Sequence, residues 1–141
     1  MLAFDTTAAR LDIIETLNRY AWSYDARDLA LMAATFTDDA SFGIELAGSA
    51  GWGPYRGRQT IIDWLAGIMQ TQTDQRRHCV STIIFRALGP AEAKVDSYLT
   101  LTAVEHGKLR VVCTGTYQDE MVNDGGHWRI RRKTLVLDCP F

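Results

Sequence analysis

Asp25 and His78 are the two residues whose side chains best suit proton transfer in this chain. Asp25 comes directly after the apolar stripe of the first predicted helix. His78 lies at the start of a predicted strand, within residues 77–80. Neutral imidazole has a pKa of about 6.5 and can accept a proton at physiological pH. A carboxylate on its other nitrogen would fix the tautomer and stabilise the imidazolium. Each residue alone also has a structural interpretation, because Asp25 can end a helix or pair with Arg27, and a lone strand histidine is more often packed than catalytic.

The other histidines and the cysteines form no recognisable metal or nucleophile motif. His106 and His127 stand at turns and are not spaced with carboxylates for metal binding. The cysteines at positions 79, 113 and 139 are odd in number and far apart, so they indicate neither a disulfide framework nor a zinc site. The sequence contains no Ser-His-Asp elbow and no phosphate-binding glycine loop. We therefore expect a site without a metal ion.

Composition excludes several classes of protein. The chain has 141 residues, 47% hydrophobic and 23% charged, which predicts one globular domain over residues 1–141. Fifteen basic and seventeen acidic residues give a net charge of −2, which provides no bulk attraction to nucleic acid or to anionic membranes. No apolar run approaches the roughly 18 residues that span a bilayer, and the first residues lack the basic segment of a signal peptide. We therefore expect a cytoplasmic protein that binds neither nucleic acid nor membrane.

Apolar periodicity predicts three helices in the first half of the chain. Residues 7–24 form an amphipathic pattern with Thr6 or Thr7 available as N-cap. Its stripe consists of Leu11, Ile14, Leu17, Ala21 and Tyr24. Asp28 can cap a short second helix, and a third helix is predicted over residues 60–69. The inner face of this short helix would consist of Leu29, Met32, Ala33 and Phe36. Between these helices we expect a turn at residues 38–39, a strand over 40–46 and a loose stretch over 47–57.

The second half of the chain is strand-like. Four runs with β character are separated by turn signals at residues 89–90, 106–107 and 123–126. They cover residues 78–87, 93–105, 109–121 and 127–137. Short connections favour antiparallel hairpins, because parallel strands need a long crossover. The order predicts an α+β fold in which N-terminal helices pack on one face of a curved, mostly antiparallel sheet and enclose a pocket.

An ordered series of short motifs resembles a known family. The series is Tyr20-(x)4-Asp25, residues 34–40 (ATFTDDA), Gly57 before a helix, Arg77-His78 and residues 125–130 (GGHWRI). It is similar to the SnoaL-like branch of the nuclear transport factor 2 superfamily over roughly residues 8–137. Within that branch it looks most like scytalone dehydratase, bile-acid 7α-dehydratase and hexachlorocyclohexane dehydrochlorinase. The resemblance implies a cone-shaped α+β barrel.

The resemblance also implies a function, because these lyases use an Asp–His dyad at the places of Asp25 and His78. It predicts a cofactor-independent lyase, a dehydratase or related β-eliminase, that acts on a small apolar cyclic, polyketide-like or steroid-like substrate. His78 would be the base, Asp25 would orient it, and Tyr20 would hydrogen-bond a carbonyl or a leaving hydroxyl. Further candidates for contact with the substrate are Tyr24, Val80, Asp96, Tyr98 and Lys133.

Several positions depart from the pattern of these relatives. Ile44 stands where scytalone dehydratase has a tyrosine, and Lys133 stands where the dehydrochlorinase has an arginine. Either Asp96 or Ser97 faces the pocket, because neighbouring residues of a strand point to opposite faces and an alignment shifted by one residue exchanges them. Two alternative functions stay open. An isomerase or cyclase would need a carboxylate base near Ile44, and Glu45 is one residue away from that position. A non-catalytic protein that binds a small molecule would not need the pair of Asp25 and His78.

The C-terminal strands carry apolar residues on both faces, for example Val111 with Val112 and Leu135 with Val136. One face must cover the pocket, so the other needs a partner. This resembles the family's habit of self-association through the sheet. We therefore expect a homo-oligomer, either a dimer or a trimer.

Overall fold

The computed structural model describes residues 3–47 and 49–140 and contains three helices and six strands within those ranges. The helices are α1 (Thr6–Ala26), α2 (Leu29–Ala34) and α3 (Arg58–Thr71). The strands are β1 (Phe36–Leu46), β2 (Ser49–Arg56), β3 (Gln75–Leu88), β4 (Glu92–Glu105), β5 (Lys108–Asp124) and β6 (His127–Leu137). The α+β class and the four C-terminal strands that follow the three helices are as the sequence predicts.

The six strands form one sheet in the order β2-β1-β6-β5-β4-β3. Every neighbouring pair is antiparallel except β1 with β6, which is parallel. The sheet is not closed into a barrel, because β2 and β3 are its two edges in the described part of the chain. The three helices and one face of this sheet enclose the apolar core and give the molecule a cone-like form.

Helix α1 positions the first half of the site. The Asp5 side chain accepts a hydrogen bond from the N–H of Ala8 at 3.0 Å, so Asp5 and not Thr6 or Thr7 is the N-cap. Arg27 ends the helix in the left-handed conformation with a φ of 56°. The buried stripe is rotated from the predicted one, since Leu11 is 64% exposed. Its members are Ala9, Ile13, Leu17, Tyr20, Ala21, Ser23 and Tyr24.

The segment between α2 and α3 differs most from the sequence prediction. The predicted turn at residues 38–39 lies inside β1, where the register with β6 shifts between Phe36 and Ser41. Phe36 belongs to that strand and not to the face of α2. The predicted loose stretch contains β2, an edge strand paired with β1. Cross-strand pairing outweighs the poor strand propensity of a segment with two glycines and a proline.

Candidate functional site

Asp25 and His78 are in direct contact, because the last turn of α1 packs beside the start of β3. Nδ1 of His78 lies 2.6 Å from Oδ1 of Asp25, and the backbone N–H of His78 donates to Oδ2 at 2.9 Å. The His78 and Asp25 side chains are only 7% and 11% exposed. One carboxylate therefore fixes both the backbone and the ring of the histidine.

This contact determines which imidazole nitrogen is available for chemistry. The Asp25 carboxylate accepts, so Nδ1 carries the proton in neutral His78 and Nε2 keeps its lone pair. The ring also packs on Tyr24, with ring centroids 4.4 Å apart, and the Tyr24 hydroxyl donates to Oε1 of Gln72 at 3.1 Å. The arrangement is a general base held in one tautomer.

His78 lines a small, mostly apolar cavity of about 60 Å³ between the helices and the inner face of the sheet. Residues from α1, α3 and five of the strands form its wall. They are Tyr20, Tyr24, Phe42, Ile44, Trp64, Leu65, Ile68, Arg76, His78, Leu99, Leu101, Cys113, Tyr117, Leu135 and Leu137. An apolar wall with a few polar groups suits a ring compound. A ring with substituents needs more room than this, so binding requires side chains of the wall to move.

Behind this wall lies a buried ion pair. Nζ of Lys133 donates to the two carboxylate oxygens of Asp119 at 3.0 and 3.3 Å. The same ammonium lies 3.8 Å from the ring centroid of Tyr117 and 4.5 Å from that of Tyr20. Burial raises the pKa of Asp119 and lowers the pKa of Lys133, and the attraction between the two groups opposes both shifts.

Tyr20 and Tyr117 separate this ion pair from the cavity. Their ring centroids are 6.2 Å apart and the rings are nearly perpendicular. Burial raises the pKa of both hydroxyls well above the ordinary value, and the Asp119 charge adds to the effect. Both phenols therefore keep their protons.

Comparison with known proteins places this chain in a family. The family model described as a SnoaL-like domain matches residues 5–134. The chain belongs to the SnoaL-like family. None of the curated proteins matches its sequence.

Solved structures show the same SnoaL-like fold. One is a protein of unknown function with a cystatin-like fold from Nostoc punctiforme, with 25% identity, a TM-score of 0.80 and coverage of 94% of this chain and 93% of that chain. A variant of Rv3472 from Mycobacterium tuberculosis has 23% identity, a TM-score of 0.81 and coverage of 94% and 78%. Aln2 from a Streptomyces species has 22% identity, a TM-score of 0.80 and coverage of 96% and 94%.

Some residues predicted to contact substrate lie elsewhere in this SnoaL-like domain. Asp96 points to the outer face of the sheet, where its carboxylate accepts from Nε of Arg86 at 2.9 Å. Tyr98 is 54% exposed on the same face. Between them Ser97 faces inward and is buried, but it does not line the cavity. Val80 packs against the core but does not line the cavity.

Lys133, another of the predicted substrate contacts, also lies outside the cavity wall. Its ammonium donates a hydrogen bond to Asp119 and lies against two aromatic rings, so the side chain does not form part of the cavity wall. Sequence reasoning missed Asp119 and Tyr117, which both lie on the inward face of β5. Period-two alternation with Met121 could have placed both of them inside.

Among the described residues, no group of three or more His, Cys, Asp or Glu side chains is arranged to hold a metal ion. Within the same ranges, no helix has both the length and the apolar character needed to cross a lipid bilayer.

Proposed function

We propose that this SnoaL-like protein is a cofactor-independent lyase that removes water, or a similar small leaving group, from a cyclic substrate. The observation that carries the proposal is the dyad: Nδ1 of His78 is bonded to Asp25, and the same ring lines an apolar cavity. A base in a water-poor cavity next to a fixed carboxylate suits abstraction of a proton from a carbon beside a carbonyl, on the same face as a leaving group on the neighbouring carbon. The family resemblance gives the same reaction class.

The proposed reaction uses three side chains. Nε2 of His78 takes the proton from a substrate carbon, and the electrons of that C–H bond form the new double bond as the carbon–oxygen bond breaks. Asp25 stabilises the imidazolium that forms. Tyr20, which keeps its proton, donates a hydrogen bond to the departing or carbonyl oxygen. The imidazolium returns its proton to the departing hydroxide, so water leaves and His78 is neutral again.

Lys133 and Asp119 act through the tyrosines in this proposal. An ammonium at 4.5 Å from the Tyr20 ring attracts the electron-rich face and limits rotation of the side chain. Lys133 is therefore a positioning residue and not a group that touches the leaving anion.

The test is a screen of cyclic β-hydroxy ketones, because their dehydration gives a conjugated enone with a strong ultraviolet absorbance. We expect turnover by the native protein and its loss in His78→Ala. The matched control is His106→Ala, since His106 lies exposed at the β4–β5 turn. Equal rates for His78→Ala and the native protein would overturn the proposal.

Two other functions are less well supported. A ketosteroid-isomerase type of reaction would need a carboxylate base near residue 44, but Ile44 points into the cavity and Glu45 lines a groove outside it. A purely binding function leaves the short contact between His78 and Asp25 without a purpose. A purely binding protein would bind a ligand in the same screen without converting it.

A further inference from the structure

Two cysteines that are far apart in the sequence are brought together where β5 and β6 run side by side. Cys113 belongs to β5, and Cys139 follows the last residue of β6 by two positions. The antiparallel pairing of the two strands continues beyond β6, because the backbone N–H of Asp138 donates to the backbone oxygen of Thr114 at 3.0 Å. One further step in this register places Cys139 opposite Cys113.

The pairing of Thr114 with Asp138 sets the distance between the two cysteines. In addition to the backbone bond, Oγ1 of Thr114 donates to Oδ2 of Asp138 at 2.7 Å. The pair next to a hydrogen-bonded pair is non-hydrogen-bonded, and its two Cα atoms are typically about 4.5 Å apart. A disulfide needs Cα atoms about 4.4–6.8 Å apart. The backbone therefore provides the separation that a bond between Cys113 and Cys139 requires.

The two thiols differ in their access to solvent. Cys139 is exposed, whereas Cys113 is buried. Burial raises the pKa of the Cys113 thiol, and the neighbouring Cys139 group adds to this shift, which agrees with the short separation that the register gives. A solute therefore meets the sulfur of Cys139 first, and Cys113 reacts with a group that is already beside it.

Cys113 also lines the cavity that contains His78. His78 on β3 pairs with Leu101 on β4, and Leu101 pairs with Cys113 on β5. The three side chains form one row across the inner face of the sheet, and all three belong to the cavity wall. Rotation of the Cys113 side chain toward Cys139 therefore alters the wall in the same row as the histidine.

We propose that Cys113 and Cys139 form a reversible disulfide that changes the His78 cavity, and that a small-molecule disulfide such as oxidised glutathione is the oxidant. This modification site goes beyond the proposed function, because it needs neither a substrate nor turnover. Sequence spacing does not indicate the pair, because only the strand register brings the two cysteines together.

The reaction consists of two thiol–disulfide exchanges. The Cys139 thiolate attacks one sulfur of oxidised glutathione, whose S–S bond breaks and releases one glutathione thiolate. The Cys113 thiol then loses its proton to solvent, and its sulfur attacks that of Cys139 and releases the second glutathione thiolate. In sum, two cysteine thiols lose two electrons and two protons, and one glutathione disulfide becomes two glutathione thiols. Because Cys139 is exposed, a solvent thiol can attack the new disulfide there and reverse the reaction.

The test uses the full chain with Cys79→Ser, because Cys79 is the other exposed cysteine and would form its own mixed disulfide. This variant is incubated with oxidised glutathione, denatured, alkylated with iodoacetamide and measured by mass spectrometry. After oxidation we expect no alkyl group, no attached glutathione and a mass lower by two hydrogen atoms. Dithiothreitol should restore both thiols to alkylation. Peptide mapping should give one cross-linked product that contains Cys113 and Cys139, and the native protein should give the same product.

Removal of either cysteine should abolish the cross-link. With Cys139→Ser added, Cys113 should stay free and take one alkyl group, because a buried thiol is protected from glutathione. With Cys113→Ala added instead, Cys139 should retain glutathione as a mixed disulfide. A Cys79→Ser protein that keeps both thiols after oxidation would overturn the inference. So would one that carries glutathione on Cys139 while Cys113 stays free.

The effect on the cavity is measured by the NMR signals of the His78 ring. Oxidation should shift these signals in Cys79→Ser and leave them unchanged when Cys139→Ser is added. A disulfide that forms without any shift would overturn its link to the cavity. These measurements need no substrate, so the disulfide can form even if the screen finds no lyase activity, and its absence would leave the lyase proposal intact.

Discussion

At the scale of single residues, His78 and Asp25 form one functional unit because each restricts the other. The carboxylate bonds both Nδ1 and the backbone N–H of His78, so its loss changes the tautomer as well as the charge. We expect His78→Ala to lower kcat/KM by roughly two to four decades. Asp25→Asn should also cost a large factor, since an amide cannot stabilise imidazolium.

The double variant tests whether the two losses are coupled. We expect Asp25→Asn with His78→Ala to be little worse than the poorer single variant, because Asp25 acts only through His78. A double-mutant cycle on kcat/KM, with thermal melts of each variant, measures this. Fully additive losses would contradict a shared role.

Lys133 and Asp119 give a residue-scale prediction about stability. Lys133→Met leaves the buried Asp119 carboxylate without its partner, which typically costs about 3–5 kcal/mol. Replacing both, as Lys133→Met with Asp119→Leu, removes both charges and should recover much of that loss. Urea unfolding of the three variants and the native protein tests the pair. A double variant less stable than Lys133→Met would contradict this interpretation.

At the scale of elements, two glycines differ in the space that a side chain would find at their positions. A Cβ at Gly115 on β5 would lie 2.6 Å from the backbone oxygen of Val136 and 3.1 Å from Cδ1 of Leu135, so the strands would have to shift. A Cβ at Gly67 in α3 would meet nothing within 4 Å. We expect Gly115→Ala to destabilise the fold by about 1–3 kcal/mol and Gly67→Ala to stabilise it by up to about 1 kcal/mol. Chemical denaturation measures both, and a stabilised Gly115→Ala would contradict the close approach.

The same scale shows what the sequence could and could not predict. The four C-terminal strands follow from alternation and turn residues, and β6 begins and ends at the predicted residues. Strand β2 could not be predicted from its composition, because its pairing with β1 is what stabilises it. Residues 38–39 resembled a turn in the sequence, because the irregular start of β1 is also held in the sheet by its pairing with a neighbouring strand.

Within the site, the contact between Asp25 and His78 was predicted through the family resemblance and not from spacing. Fifty-three residues separate the two side chains, and only the packing of α1 against β3 joins them.

At the scale of the whole molecule, the outer face of the sheet carries apolar side chains that nothing in the described chain covers. Val104 and Leu109 are register partners on β4 and β5, and Val111 lies beside them; they are 42%, 72% and 66% exposed. Tyr98 lies further along the same face and is 54% exposed. A contiguous apolar patch on one sheet face is typical of an interaction surface.

We propose that this face joins copies of the chain into a homo-oligomer, as the two-faced apolar pattern of the strands predicts. The variant Leu109→Lys with Val111→Lys places two charges on the patch, and their desolvation would oppose assembly. We expect light scattering to give a multiple of the monomer mass for the native protein and the monomer mass for this variant. Leu11→Lys is the matched control, because Leu11 is 64% exposed on α1, away from the sheet's outer face. A native protein that is monomeric at micromolar concentration would contradict the proposal, and so would a double-lysine variant with unchanged mass.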